Sequence, residues 1–418
     1  MLRKQLLMKM RITSAVILLI AGVAATHAVA QTYTVVHTFT GGSDGTNPNQ
    51  MIRDAQGNLY GTTYAGGASA CNGHDGACGT VFKIDPAGNE TVLFTFPGGN
   101  GGSSPLAAVT EDAAGNLYGT TEGDGFLGAS VIYKLAPSGK EISYVPPSGG
   151  SLDSSVVLDK QGNIYGMDPF GGVPNCGWNR NELGCGTLFR LTPQGKFTTI
   201  HTFSGTDGMQ PEGGMVMDAQ GNLYGTAFAG GIRTCLTTGY GDQDSPGCGE
   251  IFKLDTHGKF TVLHIFTGEG DGGGPLGLII DSKGNLYGIA QNGGYDTGNI
   301  YGLGTVFKVD TSGKFSVLFT FMPPETRSAG YANHLVRDAK GNLYGAKQYD
   351  GAHNTGFLFR LDTAGNFTDL YDFDEQSNGF NTGGFIPTGL VLGSDDDIYG
   401  TMFMGGDAGL GTVFHITP

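Results

Sequence analysis

Apolar and polar residues alternate in short bursts along this chain. Phe260–Phe266 reads FTVLHIF, Phe315–Phe321 reads FSVLFTF and Phe197–Phe203 reads FTTIHTF. A period of two belongs to a strand with two unlike faces. Three further pieces accompany each burst. One is a short apolar run ending in Asp, such as MVMD at 215. The second is an aromatic phrase, GNLYGTT at 57 and 115. The third is GTVFKI at 79, with relatives GTLFRL at 186, GEIFKL at 249, GTVFKV at 304 and GTVFHI at 411. Asp-x-x-Gly and Pro-x-Gly links between them are tight turns, because Gly enters backbone regions barred to other residues and Asp bonds a nearby amide. No capped stretch of helical period competes. The pattern therefore predicts a unit of four short strands, A to D.

The unit recurs seven times. The Tyr of the aromatic phrase stands at 60, 118, 165, 224, 287, 344 and 399, the last in the looser copy DDIYGTM. A period of about 55 residues with four strands suits a propeller blade, with a linear solenoid as the rival. The ends favour the ring. Tyr33–Phe39, YTVVHTF, is a strand D with no unit ahead of it, and the sequence stops at GTVFHITP, a strand C with no D behind it. Pairing these halves closes the ring and removes sheet edges. The expected fold is an all-β, seven-bladed propeller of four-stranded antiparallel blades, spanning residues 31–418 as one domain. Tyr and Phe of strands B and C should fill the wedges between blades. His37, His201 and His264 share one strand D position with Phe94, Phe319 and Tyr371, which makes them structural.

A–B and C–D turns are monotonous, whereas the B–C and D–A connections on the opposite face vary. Loops carry function more often than scaffold does, so the variable face is the candidate. All six cysteines fall there, each second Cys directly before the Gly that opens strand C. Each pair then closes its own B–C loop: Cys71–Cys78, Cys176–Cys185 and Cys235–Cys248. The middle loop holds Trp178, the only Trp, with Arg180; Trp178 either stacks on a sugar or protein partner or packs onto Phe170. The largest loop holds Tyr240 and the weak calcium candidates Asp242 and Asp244. D–A loops carry Asp44, Asp207 and Asp271, read chiefly as turn makers, before Pro48, Pro211 and Pro275. Counting back four from each A–B turn Asp gives Gln50, Ala108, Ser155, Gly214, Gly277, His334 and Gly389 as channel-lining positions, mostly small, which leaves a cup for a ligand. Blade six departs most, and there Arg327, Tyr331, Asn333 and His334 are binding candidates. Arg, Tyr and His together are also the chemistry of a polysaccharide lyase.

Composition narrows the setting. The basic residues Arg3, Lys4, Lys9 and Arg11 precede an apolar run, Ile12–Ala25, and Ala28-Val29-Ala30 follows it with small residues, so residues 1–30 read as a cleaved secretory signal. No later run approaches membrane length. The net charge of −15 argues against nucleic acid and anionic membranes. The chain holds 75 Gly, yet 25 Phe and 17 Tyr are too many for a disordered linker. No H-E-x-x-H or C-x-x-C motif is present, and GGSDG at 41, which fits the string G-x-S-x-G, lies in a D–A turn and makes no strand-to-helix nucleophile elbow, so no catalytic residue can be assigned and no cofactor is called for beyond the calcium just mentioned.

GNLYGT paired with GTVFK[IL] resembles the tandem repeats of exported bacterial propeller-like proteins, the GloVer or Gloeo–Verruco repeat family, across Tyr33–Pro418. The resemblance implies scaffold and export and supplies no activity. Many members carry a C-terminal sorting anchor, whereas this sequence ends inside strand C, so a periplasmic or released protein is expected. The preferred reading is an exported recognition propeller for a glycan or protein partner. The alternatives are a polysaccharide-degrading lyase or glycoside hydrolase with its site at the channel mouth, and a structural or assembly protein of the cell envelope.

Overall fold

A computed structural model describes residues 32–67, 78–123, 130–147, 150–172, 176, 184–232, 235, 247–294, 302–322, 332–348, 355–373 and 385–417. Residues 1–30 lie outside the described residues, and Gln31–Pro418 forms one compact unit. It contains seven antiparallel sheets that together form a seven-bladed propeller. Blade 4 shows the plan most fully: A Met209–Met217, B Leu223–Ala229, C Glu250–Leu254, D Phe260–Ile265. In blade 7, strands A to C are Phe385–Leu392, Ile398–Met404 and Thr412–Thr417, and the fourth strand is Thr32–Thr38 from the other end of the chain. Thr32 pairs with Thr417 and Thr38 with Thr412, so the ring is closed as the two half-blades in the sequence required. Among the described residues no helix is long and apolar enough to cross a membrane.

The repeated phrase is explained atom by atom. Asp54 ends strand A of blade 1. Its carboxylate accepts the backbone N–H groups of Gln56 (2.9 Å) and Asn58 (2.8 Å), the Asn58 side-chain amide (2.6 Å) and the Tyr60 hydroxyl (3.2 Å). The same Asp, Asn and Tyr arrangement recurs around Asp112, Asp159, Asp218, Asp281 and Asp338. Partial burial alone would raise the Asp54 pKa, but these donors outweigh it and hold the group below its usual range. Tyr60 is pushed up to about 12 by burial and by the charge of Asp54. Blade 7 has no Asp at that place, and a short 3-10 turn, Ser394–Asp396, connects its strands A and B instead.

The Gly of Leu-Tyr-Gly has a different cause. A Cβ on Gly225 would stand 2.5 Å from the Phe252 ring of strand C, and one on Gly400 would stand 2.2 Å from Phe414. The strand C ring lies across this glycine and then meets the ring that ends strand D of the preceding blade. Phe39–Phe82, Phe96–Tyr133, Phe203–Phe252, Phe266–Phe307, Phe321–Phe359 and Phe373–Phe414 are edge-on pairs with centroids 5.1 to 5.5 Å apart. Six of the seven junctions are wedged this way. At the junction from blade 2 to blade 3 the strand D sequence has Pro147 where the others have Phe, and Phe189 stacks on Phe197 of its own blade, as Phe252 also does on Phe260.

The strand D histidines join this core. His201 stacks on Phe260 at 3.8 Å and His264 on Phe315 at 3.7 Å. Their Nε2 atoms each lie 3.1 Å from the loop carboxylates Asp207 and Asp271. Asp207 also accepts the Ser204 N–H and hydroxyl, at 2.8 and 2.7 Å. Asp44 does the same with Thr40, both at 2.7 Å. The D–A aspartates therefore shape their turns, and the histidines anchor them to the blade.

Candidate active site at the channel mouth

The starts of the A strands converge on the axis at the face that carries the B–C and D–A loops. They enclose a cup of about 230 Å³ lined by Asn49, Gln50, Leu106, Ala107, Ala108, Asp153, Ser154, Ser155, Glu212, Gly213, Leu276 and Thr388. Buried threonines of the B strands fix this rim. Thr62 donates to the Ala107 carbonyl at 3.3 Å, Thr120 to that of Ser154 at 2.9 Å and Thr226 to that of Glu212 at 3.1 Å. Asn49 donates to the Pro105 carbonyl at 2.7 Å, and Thr388 to that of Pro48 at 3.0 Å. Each bond ties backbone at the rim to a rigid strand or to the next blade, so the cup is pre-formed.

Two carboxyl groups face one another's field here. Asp153 is half-buried and raised to about 6, by burial first and then by the negative charges of Glu122 and Asp168, against the opposing hydrogen bond from the Ser154 hydroxyl at 3.0 Å. Glu212, also half-buried, is raised to about 8 by burial and then by the charge of Asp153. No Lys or Arg lines the cup among the described residues. Two acids that cannot both ionise cheaply hold a proton between them at neutral pH. One can then donate a proton while the other accepts one.

Of the expected channel positions, Gln50, Ala108 and Ser155 line both the cup and the channel beneath it, and Gly277 lines the channel. In blade 4 the lining residue is Gly213 in place of Gly214, because the strand pairing shifts register between Glu212 and Val216 and moves the count by one. Gly389 packs against Gln50, whose atoms would lie 2.6 Å from an added Cβ. Asn333 and His334 belong to strand A of blade 6, Ala332–Arg337, with Asn333 paired to Ala346; their side chains are outside the described residues. Trp178, Arg180, Tyr240, Asp242, Asp244, Arg327 and Tyr331 also lie outside the described residues. Cys176–Cys185 and Cys235–Cys248 are disulfides, with Cα atoms 5.8 and 5.5 Å apart. Cys78 is disulfide-bonded as well, and its expected partner Cys71 falls outside the described residues.

Sequence reasoning passed over Asp153 and Glu212. Their signal lies two residues upstream of the position chosen. Six residues before each A–B turn the chain has Pro48, Leu106, Asp153, Glu212, Pro275, Ala332 and Pro387. By this count two adjacent blades carry acids where the others carry apolar residues, although in strand register Pro211 is the counterpart of Pro48 and Pro275 and Glu212 stands one place beyond it.

Comparison with known proteins places the fold. A streptogramin B lyase structure superposes with a TM-score of 0.58 at 13% identity, covering 93% of this chain and 97% of that one. Virginiamycin B lyase from Staphylococcus aureus gives 0.57 at 14%, covering 93% and 99%. A puromycin hydrolase gives 0.55 at 14%, covering 86% of this chain and 50% of that one. Among curated proteins none matches the sequence significantly. At these identities the likeness establishes a common fold. The expectation of a recognition module alone is corrected by this likeness, since proteins that share the ring end to end include lyases. The profile of the Gloeobacter/Verrucomicrobia repeat matches residues 21–179 and 179–414, so the chain belongs to that repeat family.

Proposed function

We propose that this protein is an acid–base enzyme that cleaves a C–O bond in a neutral glycan, with Glu212 as the proton donor and Asp153 as the base. The observation that carries this reading is the pair of carboxyl groups with raised proton affinity at the mouth of a pre-formed cup. A substrate of neutral charge follows from the lining, because two acids without a described cation beside them repel an anionic sugar. In hydrolysis Glu212 protonates the leaving oxygen and Asp153 activates water or attacks the sugar carbon. Residues 1–30 act in this reading as the export signal, so the enzyme works in the periplasm or outside the cell.

A second reading is elimination, and the two lyases that share the fold from end to end favour it. Asp153 then removes a proton from carbon while Glu212 protonates the departing oxygen. The products tell the two apart: hydrolysis adds the elements of water and carries its oxygen into the product, whereas elimination adds none and leaves a carbon–carbon double bond, so mass spectrometry in ¹⁸O-labelled water separates them.

The test is turnover of a panel of neutral glycans, simple glycosides as well as polysaccharides, by the wild type, Asp153→Asn and Glu212→Gln. Each variant should lose about 10²- to 10⁴-fold in kcat while keeping its melting temperature. The wild-type rate should be bell-shaped in pH, rising as Asp153 ionises near 6 and falling as Glu212 ionises near 8. Wild-type rates in both variants would remove the pair from the mechanism.

A further inference from the structure

Beneath the cup the channel changes character. A second cavity of about 380 Å³ continues from it, sharing Gln50, Ala108, Ser155, Gly213 and Leu276 with the cup wall. Its other walls are mostly apolar, among them Val109, Val156, Met215, Leu278 and Leu335, with Thr110 and Tyr287 the polar exceptions. The pair of acids thus sits where a polar rim passes into an oily shaft. A polymer of hydroxylated sugars gains nothing from such a shaft, since burying a hydroxyl without a partner costs free energy. An alkyl or aryl group gains from every methylene it places there.

We infer that the substrate carries an apolar aglycone, which enters the channel below Asp153 and Glu212 while the sugar stays in the cup. This rests on the catalytic reading above and specifies its substrate class: an alkyl or aryl glycoside instead of an unbranched polysaccharide. The arrangement also sets polarity of binding. The bond cleaved lies at the junction of polar rim and apolar shaft, level with the acids, because the aglycone occupies the shaft and the sugar the cup.

The experiment uses the full chain and a series of methyl, butyl, hexyl and octyl β-glucosides, each below its micellar concentration. Affinity is read by calorimetry on Glu212→Gln, so binding is measured without turnover. Affinity should rise by roughly three- to fourfold per methylene until the shaft is full, with a negative heat-capacity change. Leu278→Phe narrows the shaft and should end the rise at a shorter chain, whereas Leu278→Ala widens it and should extend the rise. Thr110→Phe, on another wall of the same cavity, serves if Leu278→Phe does not fold. Affinity that ignores chain length, or a rise that ends at the same chain in every folded variant, overturns the inference. Failure of the catalytic reading is a separate result: chain-length-dependent binding, with Asp153→Asn and Glu212→Gln turning over at the wild-type rate.

Discussion

Glu250 shows how one residue departs from its repeat. Thr80, Thr187, Thr305 and Thr412 hold the equivalent place, and the Thr305 hydroxyl donates to the Asp271 carbonyl at 3.0 Å. Glu250 is fully buried, and among the described residues neither carboxyl oxygen has a hydrogen-bond partner. Burial, with the nearby charge of Asp207, pushes it up to about 8. The folded state therefore holds a proton that the unfolded chain releases near its ordinary value. The associated stability is complete below that value and is lost as pH rises through about 8. Between pH 5 and pH 9 the wild type should lose roughly 3–5 kcal/mol that a Glu250→Thr variant does not, at about 1.36 kcal/mol per pKa unit. Urea denaturation of both proteins at the two pH values measures it, and equal losses would show Glu250 to be ionised in the folded state. Asp207 behaves oppositely: burial would raise it, but His201 and Ser204 hold it at about 2, so its contribution disappears only in strong acid.

At the scale of the element, the aromatic phrase is three devices in sequence. Gly57, at a φ of +92°, makes the turn; Asn58 and Tyr60 bind the turn Asp; Gly61 leaves room for the strand C ring. The last device yields a direct test. Gly225→Ala places a methyl 2.5 Å from Phe252 and 3.2 Å from Met215. Overpacking of this kind should cost about 1–3 kcal/mol. Phe252→Leu should recover part of it, so the double variant should be more stable than the sum of the single losses predicts. Strictly additive losses in chemical denaturation would place the cost elsewhere. These elements were legible in the sequence because their causes are local: a turn, an alternating strand and a glycine under a ring all recur at fixed spacing. The His–Asp anchors were half legible. Equivalence of His201 and His264 to Phe319 marked them as structural, but the partner carboxylates lie in the next loop and only folding brings them to 3.1 Å.

For the whole molecule, ring closure could be argued from the two unmatched strands, and Thr32–Thr38 does complete the last blade. The site could not be reached the same way. Asp153 and Glu212 come from different blades, and their meeting depends on how seven A strands converge on an axis. The sequence points instead to the loops, where Trp178 and Arg327 stand, and to small residues that line the channel. Those small residues matter because they leave the cup open. The chemistry sits beside them, on Asp153 and on Glu212, which directly follows Pro211. The central claim is that these two acids are coupled and share a proton at neutral pH. Carbon-13 NMR of the labelled carboxyl groups, followed from pH 3 to pH 10 in the wild type and in Asp153→Asn, measures it directly. Glu212 should titrate near 8 in the wild type, and lower in the variant, yet still above an ordinary glutamate because its burial remains. Ordinary titration of both groups near pH 4, unchanged by the substitution, would contradict the account.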